Sequence, residues 1–426
     1  MLTRRKSSTA AGGVVGVLDI GTSKTVCLIV AAPDARAGGL WRREGACVLG
    51  FGVQPSRGIK AGVVIEPDGA EQALRAAVGE AEQMAGEALE TVFVAVAGGG
   101  LKSTTFEAEA EIEGRIVSAV DAERLAAAGR QYVQREGHTL LHLNHIAYRL
   151  DGAGGMPDPC GMAGSMLAAD LHAVTVEDGP LRNLLSVVER ADLYPAGMTP
   201  APYASGLAAT TDKERRLGTI CIDMGAGATT LSMFGDGQLL SIDTVAVGGH
   251  HITFDIARGL SIPFPEAERV KTRYGALEGA ADGAEMVGCA GAAEQEWAPH
   301  RTTGAELRRI VAGCISDLLA QVVERIERSD VAHLAAHRVV LTGGGSQLPG
   351  LGHFAEATLA RPVRIGHPKA VPGMPANCGI APFSATVGLV QIVLNPPTGA
   401  RHGEGRDESG GGGYLKRVGQ WLREGA

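Results

Sequence analysis

Val17-Leu18-Asp19-Ile20-Gly21-Thr22-Ser23-Lys24 reads as the end of an apolar strand, an aspartate and a tight glycine turn. Val14–Ile20 and Thr25–Val30 on its two sides are rich in β-branched residues, so the stretch predicts an antiparallel hairpin. The design returns once. Thr219–Met224, Gly225-Ala226-Gly227-Ala228 and Thr229–Phe234 repeat strand, aspartate, glycine turn and strand, with Asp223 falling 204 residues after Asp19. One such turn alone is an ordinary capped hairpin, because D-x-G turns are common. Two of them predict a chain built from two related halves.

The residues in these turns suit an anion. Successive backbone N–H groups, the hydroxyls of Thr22 and Ser23 and the charge of Lys24 favour phosphate, and Gly225, Ala226 and Gly227 offer a second backbone cradle. Asp19 and Asp223 would repel a polyphosphate unless a cation lay between them, so their natural ligand is a hydrated Mg²⁺. A third stretch, Thr342-Gly343-Gly344-Gly345-Ser346, follows the predicted strand Arg338–Leu341. Gly343, Gly344 and Gly345 lack Cβ atoms and let the backbone approach a flat group such as adenosine.

Between these loops, helical periods run over Asp68–Leu89, Asp121–Glu136, Pro180–Asp192, Phe264–Tyr274 and Thr303–Arg328. They alternate with strands Thr91–Ala97 and Leu171–Val176, which makes the class α/β. Gly152–Gly164 and Gly279–Ala298 read as surface loops. His142 and His145 stand three residues apart, but no third ligand accompanies them, so a metal site there is not expected.

The 426 residues suit several lobes rather than one. A formal net charge of −8, with no long Lys/Arg stripe, argues against nucleic acid as the main partner. The 7 cysteines show no C-x-x-C pair or metal-ligand spacing, which favours a reducing compartment. No run of apolar residues is long enough for a transmembrane helix.

The chain's end carries a different signal. Residues 396–413 are polar and glycine-rich and read as a flexible linker. Beyond it, Tyr414, Leu415, Val418, Trp421 and Leu422 fall on one side of a helix, while Lys416, Arg417 and Arg423 fall on the other. A helix this short is marginal in water and folds when its apolar face finds a partner. Trp421 and Leu422 suit an acyl boundary and the three cations suit anionic lipid, so residues 414–426 are expected to bind a membrane surface.

Taken in order, these segments resemble the actin-like superfamily, which includes actin, heat-shock chaperones and sugar kinases, and within it the FtsA family of bacterial cell-division proteins. The resemblance rests on the two Asp–Gly turns, on Val340-Leu341-Thr342-Gly343-Gly344-Gly345, and on Pro55-Ser56-Arg57-Gly58, Ala267–Gly275, Val363–Gly366 and Ala385–Leu389. It implies an actin-like two-lobed fold with duplicated phosphate-binding halves, an FtsA-type inserted subdomain and a C-terminal amphipathic helix. The divisions it suggests are a tail at 1–12, first-lobe segments at 13–90, 177–212 and 372–395, the insert at 91–176, second-lobe segments at 213–249 and 331–371, and a helical subdomain at 250–330. ATP with Mg²⁺ would be the ligand, and Glu268 and Lys271, one turn apart, would contact the adenosine; without the family they read as an exposed i,i+3 ion pair.

The resemblance also implies partners: the C-terminal tail of FtsZ on the helical subdomain, later division proteins on the insert, anionic inner-membrane lipids, and further copies of the chain in a filament. The site of action would be the cytoplasmic face of the bacterial inner membrane at the division site. Several positions depart from the pattern, among them Ala226, which replaces a Gly. Ala228 stands where many relatives carry Thr, leaving Thr229 or Thr230 to supply a hydroxyl. Aligned on Tyr203, actin's water-orienting Gln corresponds to Gly197, and residues 195–211 contain no Gln, Glu, Asp or His, so slow or negligible hydrolysis is expected. Two other readings use the same cleft: a small-molecule kinase, for which no general base can be assigned, and a pilus-assembly adaptor, which would not call for the C-terminal helix.

Overall fold

The computed structural model describes residues 13–31, 47–278, 286–288, 301–335 and 337–394. The tail at 1–12, the linker at 396–413 and the membrane helix expected at 414–426 lie outside the described residues.

Two five-stranded sheets organise the chain, and their pairing patterns match. In the first, the order is Cys47–Pro55, Lys24–Ala31, Val14–Ile20, Thr91–Val96, Tyr194–Pro200. In the second it is Gln238–Val245, Thr229–Gly235, Thr219–Met224, Arg338–Thr342, Val363–Ile365. Each sheet runs through two antiparallel pairings and then two parallel ones. The duplication read from two turns therefore extends to whole sheets. In both, the strand bearing the aspartate is central, so its C-terminal end opens where an α/β sheet places its ligands.

Close backbone approaches fix the helices that cover the first sheet. Helix Pro67–Ala85 begins with a proline and ends on Gly86 in the left-handed region, φ 70°. It lies on Gly50 and Gly52, where a Cβ would stand 2.1 Å from the Ala81 carbonyl oxygen and 1.9 Å from that of Ala77. Only glycine fits under this helix. Between the two sheets sit helices Ala201–Ala209 and Ser384–Leu394, packed together at Gly388. Ala201 and Ala204 join the apolar cluster of the first sheet, and Tyr203 and Ala209 join one with Cys221 and Phe234 of the second. One helix thus belongs to both halves.

A separate four-stranded sheet, in the order Lys102–Glu111, Met166–Glu177, His138–Leu150, Ala153–Met156, carries helix Ala119–Val133. Its core is small, around Ile112, Leu125, Leu167 and Leu171. Two expectations change here. Thr91–Val96 pairs with Val14–Ile20 in the first sheet, so the insert's own sheet begins at Lys102 rather than at 91. Gly152–Gly164 is not wholly loop, because Ala153–Met156 pairs with the end of His138–Leu150. Of the other expected loop, Met286–Gly288 forms a short strand against Arg301–Thr303.

The second sheet is covered by helices Gly249–Leu260, Phe264–Tyr274 and Gly304–Glu327. Leu307, Val311, Ile315, Leu318 and Val322 form the buried stripe of the long helix, at the three- and four-residue spacing of an amphipathic face. No helix among the described residues is long and apolar enough to cross a membrane.

Candidate functional site

The two glycine turns face one another across a cleft of about 540 Å³. Each closes with the same bond: Gly21 N–H donates to the Lys24 carbonyl at 3.0 Å, and Gly225 N–H to the Ala228 carbonyl at 3.0 Å. The turns also touch, since a Cβ on Gly227 would lie 2.7 Å from Thr22 Oγ1. Thr22 Oγ1 accepts from the Gly62 N–H at 3.3 Å, which ties the first turn to the neighbouring loop. The carbonyls of Gly225 and Ala226 accept from Gly249 and His250 N–H, at 2.9 and 2.8 Å. That turns both oxygens toward the helix start.

Asp19 and Asp223 enter this cleft from the central strands of the two sheets. Burial raises the Asp19 pKa, against the pull of Lys24 and the Thr386 hydroxyl, which donates to Oδ2 at 3.1 Å. Burial pushes Asp223 up to about 6, opposed by the Ser205 hydroxyl and reinforced by Asp19. Lys24 is depressed by burial and held up by both aspartates; its Nζ stands 4.8 Å from the Phe383 ring centroid. Both carboxylates are desolvated, and the charge of Asp19 raises Asp223 further.

The glycine run closes the floor. Gly343 adopts φ +83°, and a Cβ there would stand 2.2 Å from Asp223 Oδ1. Gly344 and Gly345 line the same cleft, with a single 3-10 turn over Gly344–Gln347. Glu268 and Lys271 line the opposite wall. They are paired at 2.7 Å, and Lys271 Nζ also donates to the Thr253 hydroxyl at 2.8 Å and the Gly249 carbonyl at 3.0 Å. Thr253 donates to the same Glu268 oxygen. Burial raises Glu268, but Lys271 and Thr253 outweigh it and hold the carboxyl below its usual range. The ion pair is therefore a built wall of the cleft, not two free surface charges.

All fourteen loop and wall positions read from the sequence line this one space: Asp19, Gly21, Thr22, Ser23, Lys24, Asp223, Gly225, Ala226, Gly227, Glu268, Lys271, Gly343, Gly344 and Gly345. The register of the connecting segment is different from the sequence alignment. Gly197 packs on Phe93, its Cβ position 2.6 Å from the ring, while the residue of this segment at the cleft is Ala201. Of the two hydroxyls next to Ala228, Thr230 lines the cleft and Thr229 donates to the Val247 carbonyl at 2.8 Å. Ser205, Thr386 and Thr253 were not singled out as site residues. Thr386 lies in the Ala385–Leu389 stretch of the family resemblance, and Ser205 two residues after the Tyr203 used to align the connecting segment, which is the only signal for either.

His142 packs on Tyr203 and His145 on Tyr148, with ring centroids 4.5 and 4.8 Å apart. Among the described residues no group of His, Cys, Asp and Glu is arranged to hold a metal by itself.

Two sheets of one topology, joined by shared helices and meeting at twin Asp–Gly turns, define an actin-like protein. Solved structures agree on the fold. A PilM–PilN type IV pilus biogenesis complex chain matches with TM-score 0.63 at 16% identity, covering 89% of this chain and 98% of that one. MreB5 of Spiroplasma citri bound to ADP matches with TM-score 0.52 at 13% identity, covering 89% and 95%. The sequence is more specific. A family profile described as cell division protein FtsA matches residues 220–388, and one described as the SHS2 domain inserted in FtsA matches 98–175. The chain is 40% identical to the cell division protein FtsA of Agrobacterium fabrum and 41% to that of Rhizobium meliloti, each over 96% of this chain and 94% of the relative. Identity to the Escherichia coli K12 protein is 27%, over 96% and 97%. The chain belongs to the FtsA family of cell division proteins.

Proposed function

We propose that this chain is an ATP-binding, self-associating adaptor that tethers the FtsZ division ring to the cytoplasmic membrane and recruits later division proteins. The observation that carries the reading is the convergence of both Asp–Gly turns and the Gly343–Gly345 run on one cleft. The cleft has donors for phosphates on both walls, a cation in Lys24 and a Cβ-free floor where a base or ribose approaches. Mg²⁺ fits as well, because Asp19 and Asp223 are desolvated carboxylates lining one cleft; they would hold it through water, and it would neutralise phosphate charge.

FtsZ would dock by its C-terminal tail on the helical subdomain, whose long helix is Gly304–Glu327. Later division proteins would use the insert, and copies of the chain would assemble through their lobes. Residues 414–426 would supply the membrane contact at the inner face of the bacterial inner membrane, with Tyr414, Leu415, Val418, Trp421 and Leu422 in the acyl boundary and Lys416, Arg417 and Arg423 at anionic headgroups. Ala201 at the cleft gives the segment no group to orient water, so the nucleotide acts as a switch with slow turnover.

The test is pelleting on anionic liposomes with the full chain and with one ending at Gly413. The full chain should pellet and the shortened one should stay in solution with its ATP affinity unchanged. Equal pelleting of the two would reject the tether.

A further inference from the structure

The second sheet's outer strand, Gln238–Val245, is an edge strand on its far side, and the insert lies against it. An edge exposes unpaired N–H and C=O groups that must find partners when buried. Here the insert satisfies two of them with side chains. Ile242 N–H donates to Ser103 Oγ at 3.0 Å, and Asn144 Nδ2 donates to the Leu239 carbonyl at 3.0 Å. Ser103 and Asn144 come from different strands of the insert, and one buried side chain stands between them. His172 Nε2 is 2.6 Å from Ser103 Oγ, and its Nδ1 is 3.3 Å from Asn144 Oδ1.

We propose that His172 is the keystone of a latch by which the insert grips the edge of the second lobe, and that moving the insert loosens the hairpin leading to the second glycine turn.

The hydrogen-bond directions follow from the chemistry. Asn144 uses its amide N–H₂ on Leu239, so its oxygen accepts and His172 Nδ1 carries the proton. His172 Nε2 is then the acceptor, and the Ser103 hydroxyl donates to it while its oxygen receives the Ile242 N–H. Asn144 Nδ2 also donates to the His145 carbonyl at 3.1 Å, and Ser103 Oγ lies 3.4 Å from Ser241 Oγ; with the Ser103 proton on the nearer His172 Nε2, the neutral Nδ1–H tautomer completes the chain. Burial keeps His172 neutral, pushing its pKa down to about 3.

The latch reaches the cleft in one strand pairing. Gln238–Val245 pairs with Thr229–Gly235 in a register that sets Thr230 against Thr244, and Thr230 lines the cleft. It also reaches the helix shared by both lobes: His142 packs on Tyr203, and Val174 of the insert joins the cluster of Tyr203, Phe234, Leu239 and Ile242. By chain order the insert leaves and re-enters the first lobe, so this contact ties the two lobes together behind the cleft. A coupling of this kind needs an element that both sites bias, and the edge hairpin is that element.

Two measurements on the full chain test this. Amide exchange in Ser103→Ala and Asn144→Ala should speed at least tenfold over residues 229–245, with the first hairpin at 14–31 unchanged. Unchanged exchange at 229–245, or an equal rise everywhere, would overturn the latch. Nitrogen NMR of the imidazoles should find His172 protonated at Nδ1 near neutral pH, and a shift toward the Nε2–H form in Ser103→Ala. A His172 already protonated at Nε2 in the unaltered chain would remove the keystone. Both readouts use the mild variants, so a His172 substitution that fails to fold leaves the test intact.

Discussion

A Cβ on Gly343 would stand 2.2 Å from Asp223 Oδ1, in a backbone conformation of φ +83° that side chains rarely adopt. Strain and clash act together at the floor of the cleft. We predict that Gly343→Ala lowers ATP affinity at least tenfold and costs about 1–3 kcal/mol of stability. Nucleotide titration and thermal melting check this. Wild-type affinity with an unchanged melting temperature would contradict the close approach.

Ala201, not Gly197, meets the cleft. Phosphate release by the unaltered chain should be slower than about 1 s⁻¹, below the middle of the ordinary enzyme range. Ala201→Gln places an amide where water can be oriented and should raise the rate. Gly197→Gln drives its side chain into Phe93 and should lower stability without raising the rate. The opposite ranking of the two variants would restore the sequence alignment's register.

The buried imidazoles predict an acid response. Burial lowers His142 to about 4 and His172 to about 3, where they face the Asn144 amide, the Ser103 hydroxyl and the Tyr203 ring. The unfolded chain protonates both near the ordinary value of 6.5. Between these values the unfolded state binds more protons, so the pair's contribution is fully present above pH 6.5 and is lost as pH falls toward the folded values. Each group can cost about 1.4 kcal/mol per pH unit in that window. Urea midpoints at pH 7 and pH 5 should therefore converge in a variant with Asn for His142 and Gln for His172. An equal pH drop in variant and parent would assign the sensitivity elsewhere.

Two glycines in helices should respond with opposite signs. Gly388 abuts the neighbouring helix, where a Cβ would lie 1.8 Å from the Ala204 carbonyl oxygen. Gly388→Ala should cost about 1–3 kcal/mol by overpacking. A Cβ on Gly313 meets no atom within 4 Å, so Gly313→Ala should add about 0.5–1 kcal/mol through helix propensity. Differential melting temperatures decide both, and a stabilised Gly388→Ala would mean that the helix pair can part at no cost.

Much of the cleft was legible because its parts announce themselves locally. An aspartate, a glycine turn and β-branched flanks specify a hairpin without tertiary help, and Phe264–Tyr274 has the bounds that its period predicts. Other elements carry no such signal. Ala201–Ala209 and Ser384–Leu394 are buried nearly all round between the two sheets, so they show no polar face and no helical stripe. Lys102–Glu111 alternates Glu with Ala, residues with little strand preference, and is held by pairing along Met166–Glu177. The contacts of Ser205 and Thr386 with the aspartates arise only when segments far apart in the chain meet. Register on the shared helix was lost for the same reason: spacing from Tyr203 does not say which side faces the cleft.

The twin turns close with the same backbone bond, yet Lys24 fills the closing position of one and Ala228 that of the other. The copies have kept their shape and divided their labour. Of the two turns only the first brings a cation to the shared space, while the second lobe's Lys271 stands on the far wall, already paired with Glu268. Exchanging the two residues would move the turn-borne cation to the other copy, because the same closing bond holds either residue in the same place: a molecule symmetric enough to have been copied, and asymmetric at that one position.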